Sequence, residues 1–298
     1  MNYPYLNPPY RYQFNPRNVR YPIEIIDREI PSRYNEPMRF FEAFGAWFLG
    51  FVETFLDFCA YNLLIVRTIF GSRPEGHRSS LRVLFKQVLF TGYDALPVVA
   101  FIALAIGAIS IIQSLTYLPI FGAERFIGNI LVTVIIRELG PLITAFFVVG
   151  RSGTAVTTEI GNMVVHHEIE ALESMGVDPV RYIVLPRLFG FTASLVSLNI
   201  YFDIFAILGG FLVSKFIIVT SLATFLTRIM DVLLLSDVLI SLLKGFIFGI
   251  IIALICTFRG FSVKTSSTEV PQQTTKAVLN AISAMFLADG IVTLIYYL

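Results

Sequence analysis

The stretch TVIIRELGPLITAFF, residues 133–147, decides the fold because it is apolar except for the adjacent pair Arg137 and Glu138. In a bilayer, one charge near the midplane costs roughly 3 kcal/mol, so each of these side chains requires a partner. Pro141 also lacks the N–H that the carbonyl of Arg137 would bond in a regular helix. We therefore predict a kink at Gly140 and Pro141, beside two buried charges.

The composition of the whole chain indicates which solvent surrounds this stretch. Of the 298 residues, 56% are hydrophobic and 14% are charged, and the mean hydropathy is +0.75. Soluble domains contain about 25% charged residues, so this balance is typical of an integral membrane protein. The formal net charge of +1 provides no basic surface for neutralising phosphates, which argues against nucleic acid as a partner.

Five intervals are long and apolar enough to form transmembrane helices, each of which needs about 20 residues. They are residues 95–123, 126–150, 183–214, 238–258 and 277–298. Beyond the pair in the second interval, the third contains Asp203, the fourth Lys244 and the last Asp289. We predict an all-α integral membrane protein with five transmembrane helices.

Basic residues are unevenly divided between the two sides of these intervals. With the segment before residue 95 on the inside, eleven inside positions are basic: Arg67, Arg73, Arg78, Arg82, Lys86, Arg151, Arg181, Arg187, Arg259, Lys264 and Lys276. Three fall outside: Arg125, Lys215 and Arg228. Because cytoplasmic loops carry excess Arg and Lys, we predict a cytoplasmic N-terminus and a C-terminus on the outer side.

The chain before the first span has two parts. Residues 1–36 read as a polar tail rich in Pro and Tyr, and residues 37–72 as an amphipathic helix with its acidic residues on one face. Its longest charge-free run is too short to cross a bilayer. We predict a helix at the membrane interface, with a sixth crossing as the alternative, followed by a five-span domain over residues 93–298. Residues 215–236 are expected to form a short amphipathic helix on the outer surface.

Four charged residues within the spans have a summed charge of zero and can form one network: Arg137, Glu138, Lys244 and Asp289. Adjacent residues on a helix point about 100° apart, so Arg137 and Glu138 need partners on other helices. We predict that Glu138 meets Lys244 and that Arg137 meets Asp289, at a movable point of the helix bundle. A static network that only sets the helix register is the alternative. Asp203 has no predicted partner.

A short acidic helix is predicted over residues 166–178, on the cytoplasmic side. Ile169, Leu172 and Met175 recur at helical spacing, and Gly176 suits the left-handed C-terminal position. Asp178 before Pro179 is typical of a new helix start. The apolar edge predicts docking into a groove of a soluble partner; packing on the spans or on lipid is the alternative. The docking segment comprises Glu168, Ile169, Glu170, Leu172, Met175, Gly176 and Val177.

Motifs for metal binding and phosphate binding do not appear. His166, His167 and Glu168 stand in the order HHE, which differs from the HExxH arrangement that puts two histidines on one helix face. The chain also lacks a GxxxxGK[ST] loop. We expect no metal site and no bound cofactor, and any ATP hydrolysis on another chain.

Three motifs in unbroken order carry a family resemblance: RELGPLITA (137–145), GRSGTAVTTEIGNM (150–163) and EIEALESMGVDPVRYIVLPR (168–187). They resemble the MlaE/YrbE family, the permease subunits of ABC lipid transporters. The resemblance implies a homodimer in a bacterial inner membrane, an MlaF-like ATPase that uses ATP and Mg and docks on residues 168–177, and an MlaD-like MCE-domain protein on the outer side.

The resemblance also implies a phospholipid pocket between the two permease copies, lined by their first and last spans. Its candidate residues are Ile109, Ile112, Gln113 and Leu115. The implied function is ATP-driven movement of phospholipid or a related lipid between the inner membrane and an MCE conduit to the outer membrane. An ion-coupled carrier or a membrane-embedded enzyme that uses Glu138, Asp203 and Asp289 as proton sites is the alternative.

Overall fold

The computed structural model describes residues 36–70, 77–117, 129, 131–218, 222–264 and 266–298, and every regular element in these ranges is helical. Five helical stretches in them are long and apolar enough to cross a membrane. The predicted all-α fold with five spans is therefore confirmed. The predicted polar tail, up to residue 35, lies outside the described residues.

The α-helices follow one another along the described chain with few interruptions. They are α1 (Glu36–Phe70), α2 (His77–Thr91), α3 (Leu96–Tyr117), α4 (Gly140–Val148), α5 (Thr154–Val165), α6 (Glu168–Ser174), α7 (Leu185–Ile218), α8 (Leu222–Met230), α9 (Leu235–Phe261) and α10 (Glu269–Tyr297). A 3₁₀ turn, Tyr93–Ala95, joins α2 to α3, and π-helical segments occupy Leu131–Leu139, Val149–Gly153 and Val180–Val184.

These elements combine into five spans. Span 1 is Arg82–Tyr117, span 2 is Val132–Val165, span 3 is Val180–Ile217, span 4 is Leu235–Phe261 and span 5 is Glu269–Tyr297. Each overlaps its predicted interval, and several extend further at the predicted cytoplasmic end. The extension in span 2 arises because residues 151–165 continue the helix beyond Gly150.

The chain divides into two compact units, Met1–Tyr61 and Asn62–Leu298. The described part of the first unit belongs to α1, the helix predicted over residues 37–72. The second unit contains all five spans and also α2, which the predicted range 93–298 leaves out. Helix α2 packs on span 3, where Gln87 is buried against Gly190. The outer helix expected within residues 215–236 is present as α8, with Phe225 and Ile229 buried.

Two glycines allow the backbones of spans 1 and 3 to touch. A Cβ at Gly107 would lie 1.9 Å from the carbonyl oxygen of Ala206, and a Cβ at Gly209 would lie 2.2 Å from that of Leu104. No side chain fits at such distances. Small residues permit this close packing in lipid, where van der Waals contact drives helix association.

Small residues also join span 2 to span 4 near the predicted cytoplasmic end. A Cβ at Gly153 would lie 3.0 Å from Cys256 Sγ, and one at Gly260 would lie 2.8 Å from Ile160 Cβ. Thr157 Oγ1 donates to the Cys256 carbonyl at 3.1 Å. Gly153 of the motif GRSGTAVTTEIGNM therefore serves helix packing here.

Span 2 changes its backbone hydrogen-bond pattern at the predicted break. Residues Leu131–Leu139 are π-helical, and α-helical bonding begins at Gly140, one residue before Pro141. Wider π turns and proline are both recognised causes of helix bends. The bend itself stays a prediction, but the irregular turn carries both Arg137 and Glu138.

Candidate functional site

Lys244 of span 4 forms the centre of a buried polar cluster. Its side chain is fully buried, and its Nζ lies 2.5 Å from Glu138 Oε2 and 2.8 Å from Thr293 Oγ1. Asp289 Oδ1 lies 2.8 Å from the same nitrogen, as an ionic contact without hydrogen-bond geometry. The predicted contact between Glu138 and Lys244 is therefore present, and one ammonium serves two carboxylates.

The predicted contact between Arg137 and Asp289 is wrong. Arg137 Nη2 instead pairs with Asp237 Oδ1 in the first turn of span 4, and Arg137 Nη1 donates to the Tyr297 hydroxyl at 2.8 Å. Its guanidinium carbon also lies 4.6 Å from the centre of the Tyr296 ring, a distance typical of cation–π contact.

The depth of each residue along its span explains the error. At 1.5 Å per residue, Asp237 and Lys244 are about 10 Å apart along span 4, and Tyr297 and Asp289 are about 12 Å apart along span 5. Spans 4 and 5 are consecutive and antiparallel, so Asp237 lies level with Tyr297 and Lys244 lies level with Asp289. The two cations consequently occupy two levels of the bundle.

The cluster that these contacts define has five charged members: Arg137, Glu138, Asp237, Lys244 and Asp289. We call it the charge network. It joins spans 2, 4 and 5 and contains three acids and two bases, so its formal charge is −1, whereas the four predicted members sum to zero. Asp237 is buried, and its second oxygen accepts the Leu234 backbone N–H at 3.1 Å. It therefore also caps the start of span 4.

Sequence reasoning missed Asp237, Thr293, Tyr296 and Tyr297. Asp237 lies one residue before the predicted start of the fourth span, so the predicted set of charges within the spans leaves it out. A useful signal was its spacing of seven residues from Lys244, which puts both on one face of a helix after two turns. The tyrosines gave no comparable signal, because aromatic residues are common at membrane interfaces.

The predicted cytoplasmic helix is present as α6, shorter than residues 166–178. Gly176 has a φ of +79° after its C-terminus, and His167 has a φ of +59° before its N-terminus. Asp178 Oδ1 accepts the Val180 N–H at 2.9 Å and starts the next helix, as the sequence indicates. The turn chemistry of this segment is therefore confirmed.

The apolar edge of α6 is only partly covered. Met175 is 68% exposed, Val177 is also exposed, and Ile169 and Leu172 are half-buried. Glu168, Glu170 and Gly176 are exposed as well. The predicted docking surface is thus accessible in this chain.

An ion pair ties spans 2 and 3 together directly behind α6. Arg187 is buried, and its Nη2 lies 2.7 Å from Glu159 Oε2 while its Nη1 donates to the Ile183 carbonyl at 3.1 Å. A cleft of about 390 Å³ adjoins the pair, lined by Val83, Glu159, Asn162, Met163, Glu168, Tyr182, Ile183 and Arg187. Glu168 of α6 thus lines the same cleft as both members of the ion pair.

Comparison with known proteins identifies the family. A family model described as "Permease MlaE" matches residues 84–295. The chain belongs to the MlaE permease family. It is 31% identical over 221 residues to the intermembrane phospholipid transport system permease protein MlaE of Haemophilus influenzae, covering 74% of this chain and 85% of that one.

Two further relatives show the range of the MlaE family. A Rickettsia conorii protein named as a probable ABC transporter permease is 32% identical over 247 residues, covering 83% of this chain and 93% of its own. The chloroplastic protein TRIGALACTOSYLDIACYLGLYCEROL 1 of Arabidopsis thaliana is 27% identical over 216 residues, covering 72% and 62%. This chain is accordingly a multi-pass membrane permease subunit of an ABC transporter, and not an enzyme.

The pocket residues that the MlaE resemblance implies lie on the surface of the single chain. Ile109, Ile112 and Gln113 are exposed, and Leu115 is half-buried. Span 1 packs on span 3 through its opposite face, which includes Gly107. Within the part of the chain that the structure describes, the four residues do not enclose a pocket, so their role as a pocket lining stays a prediction that involves a second copy.

Proposed function

We propose that this chain is the permease subunit of an ATP-driven transporter that moves phospholipid or a related lipid. The observation that carries the proposal is its 31% identity to a permease of an intermembrane phospholipid transport system, over most of both chains. The proposed setting is a bacterial inner membrane, with the N-terminus cytoplasmic and the C-terminus periplasmic.

The proposed transporter contains two copies of the permease. In its most apolar window, span 5 has only 11% of residues buried, the smallest share among the five spans. Three of the four candidate pocket residues of span 1, Ile109, Ile112 and Gln113, are exposed in the same way. Pairing two copies through spans 1 and 5 would cover these faces and leave a lipid-sized gap between them, with Ile109, Ile112, Gln113 and Leu115 along it.

A separate ABC ATPase is proposed to dock on α6 and to use ATP and Mg, while this chain binds no cofactor. The exposed edge with Met175 supplies an apolar anchor, and Glu168 and Glu170 add negative charge beside it. ATP binding would draw the two ATPases together and shift α6. The ion pair of Arg187 with Glu159 would pass that shift to spans 2 and 3.

The proposed response of the spans centres on the irregular turn of span 2. A shift of span 2 would move the π segment Leu131–Leu139 and with it two members of the charge network. Because Glu138 is only partly buried while Lys244 is fully buried, rearrangement at Glu138 requires less desolvation than exposure of Lys244. Narrowing of the gap between copies would then release the lipid towards an MCE-domain protein on the outer side.

Lipid binding in such a gap would rest on the acyl chains. Each buried CH₂ contributes about 0.8 kcal/mol, so the affinity should rise with chain length. Discrimination between headgroups would require polar residues at the mouth of the gap, and Gln113 is the polar member of the proposed lining.

The first test is purification from native membranes with mass spectrometry of proteins and lipids. Co-purification of an ABC ATPase, an MCE-domain protein and phospholipid is the expected result. Recovery of the chain alone and without lipid, even from crosslinked membranes, would overturn the proposal and favour the ion-coupled carrier.

A matched pair of substitutions tests the docking surface. Met175→Asp on α6 should abolish co-purification of the ATPase, because it adds a charge to the apolar edge without touching the core. Met230→Asp on α8 is the control, since Met230 has nearly the same exposure, 69% against 68%. Equal ATPase recovery from both variants would show that α6 is not the docking site.

A further inference from the structure

Asp203 of span 3 belongs to a second polar cluster, outside the charge network. Asn199, one helical turn before it, is fully buried, and its Nδ2 donates to the Ser241 carbonyl at 3.0 Å and to Ser241 Oγ at 2.7 Å. Ser241 is also a neighbour of the Asp203 carboxyl group. Both amide hydrogens of Asn199 are therefore in use.

Two acceptor oxygens of this cluster have no hydrogen-bond partner: Asp203 Oδ1 and Asn199 Oδ1. Both face the same small space beside Gly140 of span 2. A Cβ at Gly140 would lie 2.7 Å from Asp203 Oδ1 and 3.2 Å from Asn199 Oδ1. A buried acceptor without a donor costs about 1–3 kcal/mol, so two acceptors around one space point to a missing donor between them.

The charged groups on neighbouring elements are engaged elsewhere. Arg137 pairs with Asp237, and Lys244 pairs with Glu138 and Asp289. Helices α3 and α4, which also pack in this region, contain no charged residue. The other basic residues on or beside span 3 lie towards its ends: Arg181, Arg187, Lys215 and Arg228. Arg181, Arg187 and Lys215 lie about 18 Å or more from Asp203 along span 3, at 1.5 Å per residue, and Arg228 lies on α8.

We propose that Asp203 is a proton-binding site in this conformation, and that its carboxylic acid donates to Asn199 Oδ1. A single proton taken from water converts one unpartnered acceptor into a donor and provides the other with its bond. It also removes a charge from the interior of the bundle, where an ionised carboxylate is costly.

The location gives this proton a consequence for span 2. Gly140 lies two residues from Glu138, at the change from π to α bonding. With the proton bound, spans 2, 3 and 4 pack tightly around Asn199, Ser241 and Gly140. Loss of the proton would leave a carboxylate and an amide oxygen opposed without a donor, and would favour separation of span 3 from Gly140.

Infrared spectroscopy of the full chain in lipid vesicles tests the proposal. At neutral pH, the wild type should show the C=O stretching band of a protonated carboxylic acid, Asp203→Asn should lose it, and Asp231→Asn, at an exposed turn, should keep it. Asn199→Ala should shift the band to higher frequency, because it removes the acceptor while leaving the acid. If Asp203→Asn does not fold, the band shift in Asn199→Ala is the test.

Two results would overturn the proposal. One is a wild-type spectrum without a band that depends on Asp203 or Asn199. The other is a thermal stability that rises with sodium concentration in the wild type and not in Asp203→Asn, since that would assign a bound cation to an ionised Asp203. The infrared band and the sodium dependence are both measured on the purified chain and do not require lipid transport. A result against the proton site therefore leaves the proposed transport function untouched.

Discussion

Arg137 of span 2 and Asp237 of span 4 form a buried ion pair at the start of span 4. Their pairing leaves Lys244 to neutralise both Glu138 and Asp289 at a deeper level. The charge network therefore has one acid in excess. Any displacement of Lys244 would leave the carboxylates of Glu138 and Asp289 without their counterion in a region of low dielectric. This imbalance makes the network a sensitive point of the permease.

Removal of Asp237 should destabilise the protein strongly. Asp237→Ala leaves Arg137 buried without its counterion, a change that costs about 3–5 kcal/mol for buried pairs. We expect a clear drop in the melting temperature of the purified protein in detergent. Asp231→Ala, on an exposed turn six residues earlier, is the control and should change stability by less than about 0.5 kcal/mol.

The paired variant Arg137→Met with Asp237→Leu separates the two contributions to that loss. If the unpaired charge is responsible, the double variant should be more stable than Asp237→Ala alone. A double variant as unstable as the single one would instead assign the loss to the cap that Asp237 provides for Leu234.

Lys244→Met tests whether the network takes part in transport. The substitution keeps an apolar stem of similar length and removes the cation between the two acids, so we expect transport to fall by about tenfold or more while assembly with the ATPase persists. Lys215→Met, at an exposed position of span 3, is the control. Failure of Lys244→Met to assemble would favour the static role in helix register, and unchanged transport would exclude any mechanistic role.

Gly107→Val should prevent spans 1 and 3 from packing. The added Cβ would meet the Ala206 carbonyl at 1.9 Å, and backbone atoms cannot yield as a flexible side chain does. We expect a loss of folded protein, measured by size-exclusion chromatography after expression. Gly150→Val, where nothing lies within 4 Å of a Cβ, should leave the yield of folded protein close to that of the wild type.

Ile112→Trp tests the proposed lipid gap. Added bulk at a lining position should reduce lipid transport and bound lipid, while co-purification of the ATPase stays unchanged. Ile200→Trp in span 3 is a matched control, because both isoleucines are 45% exposed. Equal transport by the two variants would remove Ile112 from the pocket.

Much of the fold was predictable because it depends on local properties of the chain. Twenty or so apolar residues cross a bilayer whatever their neighbours are, which explains why all five spans appear where the hydropathy indicates them. The ends of α6 follow similarly from the residues themselves, since Gly176 tolerates a positive φ and Asp178 accepts a backbone N–H two residues ahead.

The partners within the bundle were predictable only in part. Charge alone indicates that Glu138 and Lys244 attract each other, and the structure has them in contact. It cannot distinguish Asp237 from Asp289 as the partner of Arg137, because that choice depends on how deep each residue lies when the helices are packed. The same holds for Asp203, whose surroundings come from Asn199 on its own span and from Ser241 and Gly140 on two others.

The sequence by itself determined that this protein is a five-span membrane permease with a short exposed helix between spans 2 and 3, because hydropathy, turn residues and motif order are properties of consecutive residues. Only the tertiary structure decided which acid meets which base and where two acceptors share a space beside Gly140. These contacts join residues about 45 to 106 positions apart, from Lys244 with Asp289 to Glu138 with Lys244, and close glycine packing sets the relative depth of the helices that carry them.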